Sequence, residues 1–452
     1  MDMMVLKRKM YQKLLAWKEQ EGKTSLLLEG ARRVGKSFIV REFAEKEYKA
    51  SLIIDFSQVD DEVKDIFIHN RQDLDTFFLL LQTFYSKKFI TRSTLIVFDE
   101  VQRFPIAREF LKTLVADGRY DYLETGSLLS IRQNIKDIVL PSEEEKVEMF
   151  PLDFEEFLWA IGDEVSYPII KIFFEKQQRL GPAAHRKLML LFRQYILVGG
   201  MPQAVVSFAE HKDFQEADTI KRGILDLYRE DIAKYAAGYE DKVRSIFDNI
   251  PGMLSKAKKN MVFSSLAENG RYRSYESAFL WLSDAMITND CYLATDPNVE
   301  LSLTKKSSSV KCYLADTGLL VTMLLRDNAL SSDDLYKQIL FNSLSFNEGM
   351  LMENVVAQML RASGHSLFFY EKQSQEARER MEMDFLISKG NMVKMKLSPI
   401  EVKSGRNYTY SSLDKFKTKF SRRTGMRYIL HDKDLDKKDD VMLLPLYMAG
   451  LI

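Results

Sequence analysis

Apolar positions in the first third of the chain alternate between two periods. Leu6, Met10, Leu14 and Trp17 recur at helical spacing through residues 5–20, and Gly22-Lys23 break the pattern before an apolar run at 25–29. A run that short, following a breaker, predicts a buried strand. Helix and strand signals then take turns: a helix through 38–46, a strand at 51–58, a helix through 75–89, a strand at 94–101, a helix through 108–118, and strands at 120–127 and 147–152. That alternation is the pattern of a parallel α/β sheet, and it ends near residue 160. Residues 161–238 carry helical periodicity, interrupted by the turn Gly199-Gly200-Met201-Pro202. Helices at 241–257, 261–269 and 274–287, then strand-like runs at 291–295 and 310–315, give 239–330 the element order of a winged helix-turn-helix. Residues 331–452 read as a further α/β unit: a helix at 349–364, strands at 366–371, 383–388 and 399–405, a helix at 411–421 and a strand at 427–431.

The first strand runs into Gly30-Ala31-Arg32-Arg33-Val34-Gly35-Lys36-Ser37, which fits G-x-x-x-x-G-K-[ST] between a strand and a helix, the context that motif requires. Its glycines let backbone N–H groups turn toward phosphate oxygens, the helix N-terminus adds its positive end, and Lys36 is placed for the β- and γ-phosphates of ATP. Ser37 is the expected Mg2+ ligand. Leu95-Ile96-Val97-Phe98 lead into Asp99-Glu100, an acidic pair at the C-terminal end of a buried strand. There Asp99 is expected to hold Mg2+ and Glu100 to polarise the attacking water. The next strand ends in Thr125-Gly126-Ser127, whose hydroxyls are candidate sensors of the γ-phosphate.

A second acidic set lies near the C-terminus. Sixteen residues separate Asp384 from Glu401-Val402-Lys403, and Glu353 precedes them on a helix, the αββ spacing of PD-(D/E)xK nucleases. Strand period two puts Glu401 and Lys403 on one face. Asp384 and Glu401 are expected to share a divalent ion, Lys403 to orient or help deprotonate water, and Glu353 to ligate or position a metal.

In that order, GARRVGKS, FDEVQRFP, TGS, FPLDFEEFL, VGGMP, LADTGLL, GMLMEN and PIEVKSG resemble the prokaryotic AAA-type ATPases that carry a C-terminal domain of unknown function. The resemblance implies ATP binding and a C-terminal restriction-endonuclease-like fold. Many relatives have a Gly-Arg pair before the PLSFxEF-like segment, where this chain reads SEEEKVEMFPLDFEEF, so that arginine does not carry over. Arg32, Arg33, Arg103 and Arg132 are the remaining candidates to stabilise transition-state charge.

The expected architecture is therefore a P-loop NTPase of AAA type at 1–160, a helical lid or linker at 161–238, a winged-helix-like domain at 239–330 and a PD-(D/E)xK nuclease-like domain at 331–452. Sixty-five Lys and Arg balance 65 Asp and Glu, which excludes a globally basic nucleic-acid coat and makes any DNA contact regional. Lys415, Lys417, Lys419, Arg422, Arg423 and Arg427 on the C-terminal helix and turn are one candidate contact. Lys256, Lys258, Lys259, Arg271, Arg273, Lys305 and Lys306 around the winged helix are another. Its third helix, with Tyr275, Phe279, Leu280, Trp281 and Leu282 and no Lys or Arg, suits packing against protein better than a DNA groove. Cys291 and Cys312 have neither the number for a disulfide framework nor CxxC spacing, and are expected as small buried side chains in a reducing compartment. His69, His185, His211, His365 and His431 lack partner spacing and are expected to be structural. With no apolar leader and no apolar run of about 18 residues, the chain reads as a cytoplasmic protein with no membrane partner. The functions in view are an ATP-driven, DNA-associated Mg2+-dependent nuclease, a switch-like ATPase whose nuclease-like domain only binds, and a winged-helix regulator acting through Arg271 and Arg273.

Overall fold

A computed structural model describes residues 5–126, 143–236, 238–256, 259, 261, 272–325, 336, 340, 348–376, 379–389, 396–404 and 409–452. Ser127, Arg132, Lys258, Arg271 and all but Met261 of the helix expected at 261–269 lie outside the described residues. Two compact units divide the chain, one of Lys7–Phe150 with Asp284–Met286, the other built chiefly of Pro151–Ser283 and Ile287–Ile452.

The first unit runs α1 (Met10–Lys18), β1 (Ser25–Glu29), α2 (Lys36–Glu47), β2 (Ala50–Asp55), α3 (Asp61–His69), α4 (Leu74–Phe84), β3 (Thr94–Asp99), α5 (Pro105–Asp117), β4 (Asp121–Gly126) and β5 (Glu144–Glu148). Its strands are all parallel in the order β2-β3-β4-β1-β5. The expected parallel α/β sheet is present, and it fits a P-loop NTPase. Every residue of β1, β3 and β4 is buried; β1 and β3 carry the apolar runs that cover on both faces requires, whereas β4 buries Asp121, Glu124 and Thr125 as well. Phe56, Phe67, Phe77, Phe98 and Phe110 interlock edge-to-face at centroid distances of 5.0–6.5 Å beneath α3, α4 and α5. One ion cluster lies inside this packing: the Arg108 guanidinium donates to Glu144 at 2.8–3.1 Å and sits 3.6 Å from Glu124, tying β4 to β5. Burial and the Glu144 carboxylate push Glu124 well above the carboxylate range.

The second unit begins with α6 (Phe154–Ala160), where Asp153 and Glu156 form a reciprocal capping box. Next come α7 (Ser166–Lys176), α8 (Pro182–Val198), α9 (Pro202–His211), α10 (Phe214–Tyr235), α11 (Glu240–Leu254) and α12 (Tyr272–Asp284). They lead into β6 (Thr288–Ala294), β7 (Lys305–Leu314), α13 (Thr317–Leu324), α14 (Glu348–Ala362), β8 (Phe368–Lys372), β9 (Met381–Lys389) and β10 (Lys396–Val402). The chain closes with α15 (Ser411–Lys419), β11 (Arg427–His431), β12 (Asp436–Lys438) and β13 (Val441–Pro445). As expected for a helix that packs on protein, α12 buries Tyr275, Phe279, Trp281 and Leu282.

The hairpin β6-β7, expected as the wing of a separate domain, does not stand apart. One mixed sheet of eight strands runs β12-β13-β11-β10-β9-β8-β6-β7, with β6 pairing β8 in parallel at Tyr292↔Phe368 and Leu293↔Phe369. The apolar alternation of β6 and β8 is satisfied by a shared core, in which Ala294 and Leu301 cluster with Phe368, Met383 and Phe416.

A buried polar network fastens the helices to this sheet. The Asp316 carboxylate accepts from Gly200 N–H at 2.5 Å and Leu319 N–H at 2.9 Å. Lys221 on α10 donates to the carbonyls of Leu197 at 2.6 Å and Gly318 at 3.3 Å. From α14, Gln358 accepts from Thr317 N–H and donates to the Tyr195 hydroxyl, while Asn354 pairs with both backbone groups of Leu314. The VGGMP, LADTGLL and MEN segments thus meet in one place. Burial pushes Asp316 up and Lys221 down to about 8.

Both cysteines are free and buried. His185 bridges the Tyr447 hydroxyl at 3.0 Å and the Asp432 carbonyl at 2.9 Å. His431 is 1% exposed on β11, its Nδ1 accepting from Lys433 N–H at 2.8 Å. Burial pushes its imidazole down from 6.5 to about 4. The folded state therefore favours the neutral ring, so this contribution to stability is complete above pH 6.5 and is lost as pH falls toward 4. The full loss is about 3 kcal/mol. Asp440, held down at about 2 by Arg427, stays ionised through that window. Unfolding midpoints of wild type are expected to fall between pH 6.5 and 4 more steeply than those of His431→Gln, and parallel profiles would refute the assignment.

Candidate functional site

Between β1 and α2 the chain turns through Gly30–Ser37, and local geometry explains the residue types. A Cβ at Gly30 would lie 2.5 Å from the Met149 carbonyl, and Gly35 takes φ 98°, the left-handed region glycine enters freely. Arg33 shares that region at φ 72°. Lys36 is buried, with Nζ donating to Gly30 O at 2.8 Å and Ala31 O at 3.0 Å, so its ammonium lies inside the loop. Burial lowers its pKa, while Glu100 and Asp99 act to raise it. Ala31 and Val34 are buried, whereas Arg32 and Arg33 face outward.

The strand order places β4 between β1 and β3 and thereby brings the second motif to the loop. Ser37 Oγ donates to Asp99 Oδ1 at 3.2 Å, and the Thr125 hydroxyl donates to the same oxygen. Thr125 also accepts from Glu100 N–H at 3.4 Å. Glu100 is left-handed at φ 54°, and its carboxylate accepts from Gln102 Nε2 at 2.5 Å. Ser37, Lys36, Asp99, Glu100 and Thr125 are thus brought together at one sheet edge. Ser127 lies outside the described residues, and Arg103 is exposed. Sequence reasoning missed two contributors. Gln102 orients Glu100, and Arg8, ahead of α1, donates to Val34 O at 2.9 Å and Phe150 O at 2.7 Å, bracing the loop from behind. Only the short Val101-Gln102 spacing after the acidic pair offered a clue to the first; nothing local signals the second.

In the second unit Glu353, Asp384, Glu401 and Lys403 also converge, with company the sequence did not show. Glu353 accepts from Tyr313 OH at 3.1 Å and pairs with Lys259. Asp384 caps Val402 N–H at 2.8 Å, and Lys403 pairs with Glu401. From β7, Lys311 reaches in with Nζ 3.9 Å from Asp384 Oδ1 and 3.4 Å from Glu382 Oε1. Burial raises Glu353, with Asp384 adding to the shift, and burial likewise raises Glu401. Burial acts to lower Lys311, but Asp384, Glu353 and Glu382 outweigh it and hold it above its ordinary value. Lys403 is held up in the same sense by Glu401.

This arrangement does not fit the divalent ion expected between Asp384 and Glu401. Lysines 259, 311 and 403 already answer Glu353, Asp384 and Glu401. Among the described residues no group of three or more His, Cys, Asp and Glu side chains is disposed to hold a metal. The basic run that was expected to track a nucleic-acid backbone is also largely engaged. Lys415 donates to Arg380 O at 3.0 Å, Lys417 pairs with Asp440 at 3.0 Å, Lys419 donates to Tyr370 OH at 2.9 Å, and Arg427 is buried between Asp414 and Asp440. No described helix is long and apolar enough to cross a membrane.

Residues 22–158 match a family model described as an AAA domain, and the parallel sheet and phosphate loop of the first unit fit a P-loop NTPase. Residues 189–330 match a domain of unknown function (DUF8612), and residues 348–448 another (DUF4143). No curated protein matches the sequence. Among solved structures, a point variant of Thermotoga maritima RuvB aligns at 12% identity over 63% of this chain and 89% of that one, TM-score 0.30. C. elegans PCH-2 aligns at 12% over 45% of this chain and 62% of its own length, TM-score 0.27. Drosophila ORC bound to AT-rich DNA and Cdc6 aligns at 10% over 71% and 92%, TM-score 0.22.

Proposed function

We propose that the chain is a Mg2+-dependent ATP-binding and ATP-hydrolysing switch that acts through a nuclease-like C-terminal module. The observation that carries the nucleotide half is the meeting of Ser37, Asp99 and Thr125 on one oxygen beside Lys36 and Glu100. The backbone of Gly30–Ser37 cradles the phosphates, and Lys36 leaves its loop carbonyls for the β- and γ-phosphates. Ser37 and Asp99 have the donor chemistry for Mg2+, which when bound neutralises charge on the β- and γ-phosphoryl oxygens. Glu100, fixed by Gln102, accepts a hydrogen bond from the attacking water, and Thr125 senses the γ-phosphate from β4.

For the module, the lysines seated among the acids favour binding without cleavage over a working nuclease. The internal pairing of the basic run favours a protein partner over DNA for that face. A single pair of assays tests both halves. Full-length chain is expected to turn over Mg2+-ATP, with Glu100→Gln still binding ATP but hydrolysing about 100-fold or more slowly. Plasmid DNA is expected to stay intact with millimolar Mg2+. Cleavage by wild type that disappears in Lys403→Ala would replace the switch reading with the nuclease one, and undiminished turnover in Glu100→Gln would remove Glu100 from its role.

A further inference from the structure

The C-terminal acids come from three elements, Glu353 from α14, Asp384 from β9 and Glu401 from β10, yet one lysine among them comes from none of these. It is Lys311 of β7, a strand joined to β9 only through β6 and β8. Lys311 is 2% exposed, and its Nζ lies over the Phe369 ring 4.9 Å from the centroid, 3.4 Å from Glu382 Oε1 and 3.9 Å from Asp384 Oδ1. Two residues on, Tyr313 uses the same face of β7 to donate to Glu353 at 3.1 Å. Burying a lysine this deeply is unfavourable unless carboxylates compensate it. Here Asp384, Glu353 and Glu382 all act to keep it charged. One acceptor is left over: Glu401 Oε1, on a residue 3% exposed, has no hydrogen-bond partner among the described residues.

We propose that Lys311 is a built-in counter-cation, a tethered ammonium that takes the part of a divalent ion in the acidic pocket and keeps such ions out. The inference deepens the switch reading of the module and rests on it. A fixed positive charge about 4 Å from a carboxylate competes directly with a divalent cation for that oxygen, and the tether makes the competition intramolecular. Glu401 Oε1 is the acceptor a divalent ion would gain once the ammonium is gone. The specificity lies with β7: the acids come from α14, β9 and β10, the cation from a strand two places beyond β8 in the sheet order that pairs with none of them.

The test is Mn2+ binding to full-length protein without nucleotide, read from the free-Mn2+ electron paramagnetic resonance signal. Lys311→Met keeps an unbranched side chain of similar length and removes the charge. It is expected to gain one Mn2+ site at least about tenfold tighter than any in wild type, and Lys311→Met/Asp384→Ala is expected to lose it. Lys311→Gln serves as a second neutral variant should methionine unfold the region. Wild type that already binds Mn2+ at micromolar concentration, in a site lost on Asp384→Ala, overturns the proposal without any Lys311 variant. So does a gain in Lys311→Met that survives Asp384→Ala. The readout is separate from cleavage: a gained Mn2+ site with plasmid left intact supports Lys311 as counter-cation, whereas plasmid cleavage by wild type in Mg2+ fails the switch reading.

Discussion

Lys36→Ala is expected to weaken ATP binding by about 100- to 1000-fold while leaving the chain folded. The ammonium sits inside Gly30–Ser37, donating among the described residues to the loop carbonyls of Gly30 and Ala31 at 2.8 and 3.0 Å. Those neutral partners are exchanged for phosphate oxygens when nucleotide binds. Hydrogen bonds to charged groups are worth about 1.5–3 kcal/mol each, so losing two of them at the lower part of that range gives about 3–4 kcal/mol, the stated factor in affinity. Nothing else described inside the loop supplies a cation there, since Arg32 and Arg33 point outward. Titration with a fluorescent ATP analogue, with and without Mg2+, reads the effect, and circular dichroism checks the fold. Affinity within tenfold of wild type would place the nucleotide elsewhere.

Asp316→Ala is expected to lower the unfolding midpoint of the second unit by about 10 °C. Removing the carboxylate leaves the buried N–H groups of Gly200 and Leu319 without acceptors, at about 1–3 kcal/mol each. It also deprives Lys221, fully buried on α10, of one of the charges that support it. Together these give about 3–5 kcal/mol, and in a region of this size each kcal/mol moves the midpoint by about 2–4 °C. Asp316→Asn keeps one acceptor but turns an NH2 toward a donor, so it should fall between. Differential scanning calorimetry of the full chain, following the transition that is insensitive to ATP, measures the shift. A change below about 3 °C would mean that Asp316 is not the fastener described.

The phosphate loop and Asp99-Glu100 were legible because their chemistry is local: a few residues at fixed spacing, flanked by a strand and a helix, determine the geometry. The first sheet followed for the same reason, since β1 and β3 are buried on both faces and carry the unbroken apolar runs at 26–28 and 95–98. What escaped is long-range. Arg8 reaches Val34 and Phe150, and Lys311 reaches Asp384, across separations that carry no sequence period. The hairpin β6-β7 looked like a wing because its local pattern is that of any antiparallel pair; the parallel ladder to β8, between Tyr292 and Phe368, decides its place. The basic run at 415–427 read as a surface to be shared with a partner. Its acids, Asp414 and Asp440, are what make Arg427 an interior side chain.

The ladder between β6 and β8 also bears on how this protein can be cut or exchanged among relatives. A fragment opening at residue 348, where the DUF4143 match begins, would carry β8 with a bare edge of unpaired N–H and C=O groups, the kind of surface that recruits strands from other chains. It would also leave Lys311 and Tyr313 behind, setting the buried Glu353 against the half-buried Asp384 as like charges without those partners. Recombination that respects the energetics of this sheet must therefore move residues 288–314 together with everything that follows them.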